Sequence, residues 1–271
     1  VQRDIGFHTV LDVAYVGSLA RHLLQRRSIN AIPYGGRFQA SAVDVTNNGV
    51  LPDNFLRPYK GYGDINYIEF ASNSNYHALQ VQANRRFSSS LNFGLSYTWS
   101  KAMDLVDGNN NNVNPFIDPR IRNYGKAGFD RTHNLTINYV YKLPGLSKRL
   151  GDHAISRQVF DGWELSGITS FISGSPLGIG YSTVQGTDLA GASGSGVDSR
   201  VVLIGNPVLP KSEQTFLRFF NTAAVRPPTK AELGIGNAAK DLIRGPGTNN
   251  WDISLFKNFS LAREGAGVIG V

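Results

Sequence analysis

The sequence predicts an all-β protein: an antiparallel transmembrane β-barrel, present as a fragment of a larger barrel. Three observations predict it. The stretch Leu91–Ser100, LNFGLSYTWS, alternates strictly between apolar and small polar residues. Similar alternation recurs along the chain, giving about seven strands. The intervals between them are of two kinds, short turns and long irregular loops, the asymmetry of outer-membrane barrels.

The strand at 91–100 is the clearest. Leu91, Phe93, Leu95, Tyr97 and Trp99 share one face, and Asn92, Gly94, Ser96, Thr98 and Ser100 share the other. Successive side chains on a strand point to opposite faces, so one side is greasy and the other polar. Its ten residues match the roughly 9–11 that a tilted strand needs to cross a bilayer. Leu91, Phe93 and Leu95 are therefore predicted to face lipid, with Asn92, Ser96 and Thr98 facing the lumen. Tyr97 and Trp99, at one end, suit an interfacial girdle.

The other strands follow in chain order. Phe7–Val16 sets Phe7, Leu11, Val13 and Tyr15 on one side, against a less polar face that includes His8 and Asp12. Ile65–Phe70 reads as a strand of uncertain facing. In His77–Arg86, Leu79, Val81 and Ala83 oppose Gln80, Gln82 and Asn84. Ser88-Ser89-Ser90 then makes a short hairpin turn into the strand at 91. Asn134–Lys142 assigns Leu135 and Ile137 to lipid, Tyr139 and Tyr141 to the girdle, and Asn134, Thr136 and Asn138 to the lumen. Trp163–Ile172 alternates more weakly, broken by Ile168 and Ile172. Trp251–Phe259 starts in phase and loses it at Phe256 and Lys257. Pro144-Gly145 and Gly174-Ser175-Pro176 punctuate the pattern. Ala31–Gly63, Asp104–Arg131 and Ser173–Asn250 are long, patternless and rich in Asn, Gly, Ser and Pro. Only Arg21–Leu24 and Glu213–Phe220 could hold a turn or two of helix.

Composition agrees. The chain has 271 residues, enough for one large β domain, with 30 glycines, 11% aromatic and 17% charged residues. A mean hydropathy of −0.20 is ordinary for alternating strands. No apolar run approaches the roughly 18 residues of a membrane helix. With no cysteine, thiolate metal sites, disulfides and cysteine nucleophiles are excluded. The net charge of +7 is scattered, with only a short cluster at Arg21–Arg27, so it reads as solvated loops and strand ends rather than a nucleic-acid surface.

The candidate chemistry is thin. Phe129-Asp130-Arg131-Thr132-His133 gathers an acid, a base and an imidazole. It reads as a strand-opening motif, with Asp130 and Arg131 pairing or binding backbone at the rim, because no third group orients a catalytic pair. His8, His22, His77, His133 and His153 show no zinc spacing. No GxSxG elbow appears. Gly234–Asn237 and Arg244–Gly247 fit no phosphate loop and read as turns. The segment from Asp104 to Asp118 lacks the closing glutamate of a calcium loop. No catalytic, cofactor or metal residue is assigned, and the protein is not expected to be an enzyme.

Several stretches together resemble one family. Tyr76-His77-Ala78-Leu79-Gln80-Val81-Gln82, Arg85-Arg86-Phe87 and Ser96-Tyr97-Thr98-Trp99-Ser100-Lys101-Ala102 resemble paired barrel strands of Oar-like TonB-dependent outer-membrane transporters. Leu51–Tyr59 and Gly61-Tyr62-Gly63 resemble the approach to those strands, and Phe129–His133 the opening of the next. Gly236-Asn237-Ala238, Arg244-Gly245-Pro246-Gly247 and Trp251–Phe259 resemble the family's late segment. The resemblance runs from about Val10 to Leu261, and each motif is soft alone. It implies a parent of about 22 strands, plugged by an N-terminal domain. It also implies energised uptake of a large or scarce solute through TonB, with outer-membrane lipid and the plug as partners. The carboxypeptidase-regulatory-like domain, plug, TonB box and terminal assembly aromatic are not in these residues, and Gly265–Val271 departs from the family pattern. About seven strands cannot close a bacterial barrel, which usually has an even number from eight upward. The expectation is therefore that residues 1–271 form one partial barrel domain of a longer protein. A passive porin or adhesin barrel, or a soluble all-β binding module, are the alternatives.

Overall fold

The computed structural model describes residues 1–88, 90–108, 111–149, 151, 153–184 and 187–259. Its centre is one antiparallel sheet. The main strands are β1 (Gln2–Asp4), β2 (Thr9–Ser28), β3 (Asn66–Ser88), β4 (Leu91–Asp104), β5 (His133–Lys142), β6 (Trp163–Ile172) and β7 (Thr248–Lys257). They are ordered in space as in sequence, an up-and-down meander, and the short strand Gly125–Lys126 pairs with Met103–Asp104. Among the described residues the sheet is open, with β1 and β7 at its edges.

Register makes the faces continuous, because residues directly opposite one another share a face. One row crosses six strands as Leu11–Ala83–Leu95–Ile137–Thr169–Trp251. The next residue along each strand gives Asp12–Gln82–Ser96–Thr136–Ser170–Asn250, polar at every position. The local alternation of Leu91–Ser100 is thus a property of the whole wall.

Several boundaries differ from the sequence reading. Phe7 and His8 have positive φ (54° and 58°) and belong to the turn between β1 and β2, which starts at Thr9. Arg21–Leu24 is not helical. It lies in β2 at an irregularity where the register with β3 shifts and His22 has φ 55°. A bulge keeps an extended strand paired while absorbing the extra residue. Ile65–Phe70 and His77–Arg86 are parts of one 23-residue strand, with Ile65 just before it. Glu213–Phe220 holds only the end of a 3-10 turn, Lys211–Glu213. β7 keeps its register to Lys257, with Phe256 opposite Glu164, so its hydropathy loses phase where its backbone does not. The Ser88–Ser90 turn joins Ser88 to Leu91 in register, but Ser89 lies outside the described residues, as do Asn109, Asn110 and 260–271.

The loop asymmetry is now geometric. The β2–β3, β4–β5 and β6–β7 connections all leave from one end of the wall. The β1–β2 and β3–β4 turns are at the other, with the β5–β6 connection that carries helix α1 (Ala154–Phe160). β2 and β3 continue past the ten-residue height of β5–β7 as a two-stranded ribbon, Leu24–Ser28 against Asn66–Phe70.

The protein core lies in the loops. Ala31, Ile32, Val113, Ala192, Val201, Ala224, Ala238 and Ile243 are buried there, whereas Ala78 and Ala102 are the buried apolar residues of the seven main strands among the described residues. The wall is bare by contrast: Trp251, Ile253 and Leu255 on β7 are 56–58% exposed.

Candidate functional site: a two-faced wall under a loop assembly

The site is built from the wall upward. Leu91, Phe93, Leu95, Leu135 and Ile137 lie together on one face. On that face Tyr139 is paired with Gly167 across β5 and β6, and a Cβ at Gly167 would sit 2.7 Å from the Tyr139 hydroxyl. The glycine leaves room for the ring. Asn92, Ser96, Thr98, Asn134, Thr136 and Asn138 lie together on the opposite face. There Asn84, Gly94 and Asn138 form one row, and a Cβ at Gly94 would collide with the Asn138 amide.

The four girdle aromatics do not form one belt. Strands β4 and β5 are antiparallel, so Trp99 pairs with His133 at the loop end while Tyr141 pairs with Leu91 at the turn end. The eight residue steps from Leu91 to Trp99 span about 27 Å along the strand, or about 21 Å after a tilt of about 40°. Tyr97 and Trp99 belong to one rim, Tyr139 and Tyr141 to the other. Antiparallel pairing, invisible within a single strand, makes this distinction.

At the loop rim the apolar face carries two similar pairs. The Tyr15 hydroxyl lies 2.6 Å from His77 Nδ1, and the Tyr97 hydroxyl lies 2.8 Å from His133 Nδ1. Both pairs of rings are stacked, with centroids 6.1 Å apart. Trp99 and Lys101 share a hollow of about 470 Å³ with Tyr15, His77, Lys126 and Arg244. Amphipathic rings followed by cations is the chemistry of a membrane–water boundary.

At the rim a loop segment packs on the other face. Phe129, Asp130 and Arg131 enclose a hollow with Gln80, Thr98, Ser100 and Asn134 on the polar side. The Ser100 hydroxyl donates to the Arg131 carbonyl at 2.9 Å. Asp130 accepts from the Ala102 N–H at 2.7 Å and pairs with Arg244, its side chain only 1% exposed. Asp130 thus binds both backbone and a distant arginine, while Arg131 donates to the carbonyls of Gly128 and Asp130. The partner missing from the sequence reading was Arg244, which sits 114 residues away in the Arg-Gly-Pro-Gly segment.

Other charges stitch loop to loop. Arg37 of the first long loop reaches Asp53 at 2.7 Å and Asp188 of the third at 3.1 Å. Arg57 binds Asp64 at 2.6 Å, and Asp64 accepts the Ser195 N–H at 2.8 Å. Arg122 of the second loop pairs with Asp198 at 3.0 Å, and Lys240 pairs with buried Asp104. Burial works to raise the Asp53 and Asp64 carboxyls. For Asp53, Ser193 and Arg37 outweigh it; for Asp64, Arg57 and Ser195 do, so both titrate below the usual range. Ile32 and Ser193 exchange backbone bonds of 2.7 and 3.3 Å. Gly194 permits this approach: its φ is +129°, and a Cβ there would lie 2.6 Å from that of Ala31.

No group of His, Asp and Glu able to hold a metal occurs among the described residues. No helix there is long and apolar enough to cross a membrane, which says nothing of strands.

A wall with one apolar and one polar face, crossed by ten-residue antiparallel strands, defines an outer-membrane β-barrel protein. The chain belongs to the family described as Outer membrane beta barrel domain, which matches residues 1–268, and its place is the outer membrane. No curated protein matches it. Among solved structures, the crystal structure of the outer membrane transporter YddB from Escherichia coli is similar at 9% identity and a TM-score of 0.37. That similarity covers 68% of this chain and 21% of the YddB chain.

Proposed function

We propose that this chain forms part of the wall and outer loops of a TonB-dependent receptor that takes up a large or scarce solute with energy delivered through TonB. The observation that carries the reading is the handedness of the coverage. At the loop rim Phe129–Arg131 pack on the polar side against Gln80, Thr98 and Asn134, and Ala78 and Ala102 are buried, while Leu79 and Trp99 on the apolar face stay exposed. In a barrel this makes the polar rows lumenal and the apolar rows lipid-facing.

On this reading Leu91, Phe93, Leu95, Leu135 and Ile137 contact acyl chains. Tyr97 and Trp99 mark the outer interface, and Tyr139 and Tyr141 the periplasmic one. Asn92, Ser96, Thr98, Asn134, Thr136 and Asn138 face the lumen or a plug. The TonB dependence is supported by the ordered motifs from Tyr76 to Phe259 that resemble Oar-like transporters. No catalytic step belongs to the reading.

The test is reconstitution of the full-length gene product in liposomes, with swelling in L-arabinose as readout, beside binding of the purified periplasmic domain of TonB. A plugged, energised receptor binds that domain and gives no swelling. Swelling without TonB binding identifies a passive porin and overturns the proposal.

A further inference from the structure

We infer that the loop rim of the wall carries, on its apolar face, a binding site for a phosphorylated glycolipid of the outer leaflet, with acyl chains against the aromatic rings and phosphate on Lys101, Lys126 and Arg244. The inference rests on the reading of the apolar face as lipid-facing and names one lipid that this face holds.

The chemistry of that face changes with height. Along β4 its residues run Leu95, Tyr97, Trp99, Lys101: apolar, then aromatic, then cationic. On β3, Val81, Leu79 and His77 stand opposite Tyr97, Trp99 and Lys101. The longer loops of a transmembrane barrel are extracellular, so this end lies at the outer leaflet. A lysine just past an aromatic belt lays its stem on the apolar surface and holds its ammonium among the headgroups.

Here the wall has a step. β5 begins at His133, opposite Trp99, while β4 runs on to Asp104. The hollow of about 470 Å³ lies at this step, and its lining holds Lys101, Lys126 and Arg244 but no carboxylate. Lys126 reaches Asp241 at 3.5 Å and Arg244 pairs with Asp130, so carboxylates outside the hollow hold both cations in place. Lys101 makes no ion pair among the described residues. Arg21 adds a fourth cation close by. It donates to Asn75 Oδ1 at 2.8 Å, and Asn75 stands opposite Met103, the next residue after Lys101 on this face. Its other acceptors are the Ala20 and Ser74 carbonyls, at 2.9 and 3.1 Å.

The combination selects the ligand. A soluble anion would use the cations and leave Tyr15, Leu79 and Trp99 bare. An uncharged lipid would cover the rings and leave Lys101 unpaired. A lipid bearing phosphate uses both, through charge-assisted hydrogen bonds and apolar burial. At the outer leaflet of an outer membrane that lipid is a phosphorylated glycolipid.

A second hollow of about 300 Å³ shares Lys126 and Arg244 and is flanked by Pro207, Val208, Phe219 and Phe220. The same segment makes a tight turn, with Thr215 N–H to the Arg218 carbonyl at 2.9 Å and the reverse bond at 3.3 Å. The turn displays Phe216 and Leu217, 100% and 93% exposed. Clustered exposed apolar residues mark a contact surface, and here they stand on the segment that borders the cations.

Native mass spectrometry of the full-length protein in detergent micelles tests this. Diphosphoryl lipid A is the probe, with dephosphorylated lipid A, phosphatidylglycerol and inorganic phosphate as comparators. Lipid A should be retained about tenfold more tightly than either other lipid, and free phosphate should not be retained. Lys101→Gln should weaken retention about tenfold, Lys101→Arg should keep it, and Trp99→Ala should weaken it several-fold. Lys101 and Trp99 are both exposed, so neither variant removes a buried contact. Lys60→Glu, on the exposed surface of the first long loop, should change nothing. Equal retention of the three lipids that still depends on Trp99 overturns the site and leaves the face lipid-facing. Retention indifferent to both Lys101→Gln and Trp99→Ala, or no retention of lipid A, overturns the site outright. The measurement requires neither TonB nor a transported solute, so a passive porin gives the same result and the outcome is independent of the liposome test.

Discussion

The wall and the loop assembly of this chain are stabilised in opposite ways. In the loops, apolar side chains such as Ile32 and Val113 are fully buried by other parts of the chain, and carboxylates such as Asp130 are paired beneath them. In the wall, β7 exposes residues of both faces, and its regularity comes from ladder bonds and register. A strand in a bilayer buries its apolar side in lipid, so it needs no protein core on that face. The loop assembly stands in water and must bury its own apolar surface like any soluble domain. The difference predicts that the same type of substitution has different consequences in the two regions.

The largest expected effect is at Asp130. Asp130→Ala should cost about 3–5 kcal/mol, the usual result of removing one partner of a buried pair, because Arg244 and the Ala102 N–H both lose their acceptor. Asp252→Ala, an exposed carboxylate on β7, should stay within about 0.5 kcal/mol. Urea unfolding in micelles reads both. Equal losses would mean that the loop assembly adds no buried polar core of its own.

The next effect concerns the faces. Leu95→Arg should cost about 2–4 kcal/mol if Leu95 sits near the bilayer midplane, and Ser96→Arg much less, since a lumenal cation stays hydrated. Folding yield into lipid vesicles measures the difference. If Leu95→Arg folds as well as Ser96→Arg, the assignment of the apolar face to lipid is wrong.

These two predictions also show what the sequence made legible. The face of Leu95 is visible from residues 91–100 alone, because a strand's side chains alternate with a period fixed by its backbone. The same period recovered β5 and β6 almost to the residue. It failed at Arg21–Leu24, where a bulge disturbs β2, and at Phe256, which lies on the polar face of a regular strand. It merged nothing across Ala71–Asn75, so β3 was read as two strands. The loop site was illegible for another reason. Asp130 and Arg244, or Arg37 and Asp188, are neighbours only after long segments fold back, and no local spacing encodes that. A paired weak signal was present: the Asp of Phe129–His133 and the Arg of Arg244–Gly247 lie in motifs that are each conspicuous, and only their contact was missing.

A smaller difference should separate Ile32 and Ile253. Ile32→Val removes a methyl group from a fully buried site and should cost about 0.5–1.5 kcal/mol. Ile253→Val, on an exposed stretch of wall, should change stability in micelles by less than about 0.5 kcal/mol. Matching urea midpoints would remove the distinction between a self-buried and a lipid-buried region.

The smallest effect is acid sensitivity, and it should be confined to the loops. Asp53 and Asp64 have folded-state pKa values below their unfolded ones, for the hydrogen bonds and arginines already named. Groups of this kind contribute stability above the unfolded value, near pH 4, and lose it as pH falls through the folded value. Both carboxylates are partly exposed, so each ion pair contributes at most about 1 kcal/mol. Stability should therefore hold steady from pH 7 to pH 5 with respect to these groups and decline below about pH 4. Asp64→Asn should make that decline shallower, because the variant has one fewer proton to take up on unfolding. A decline equally steep in the variant would show that the Arg57–Asp64–Ser195 stitch does not hold the first and third loops together, and that the buried apolar contacts around Ile32 do so alone.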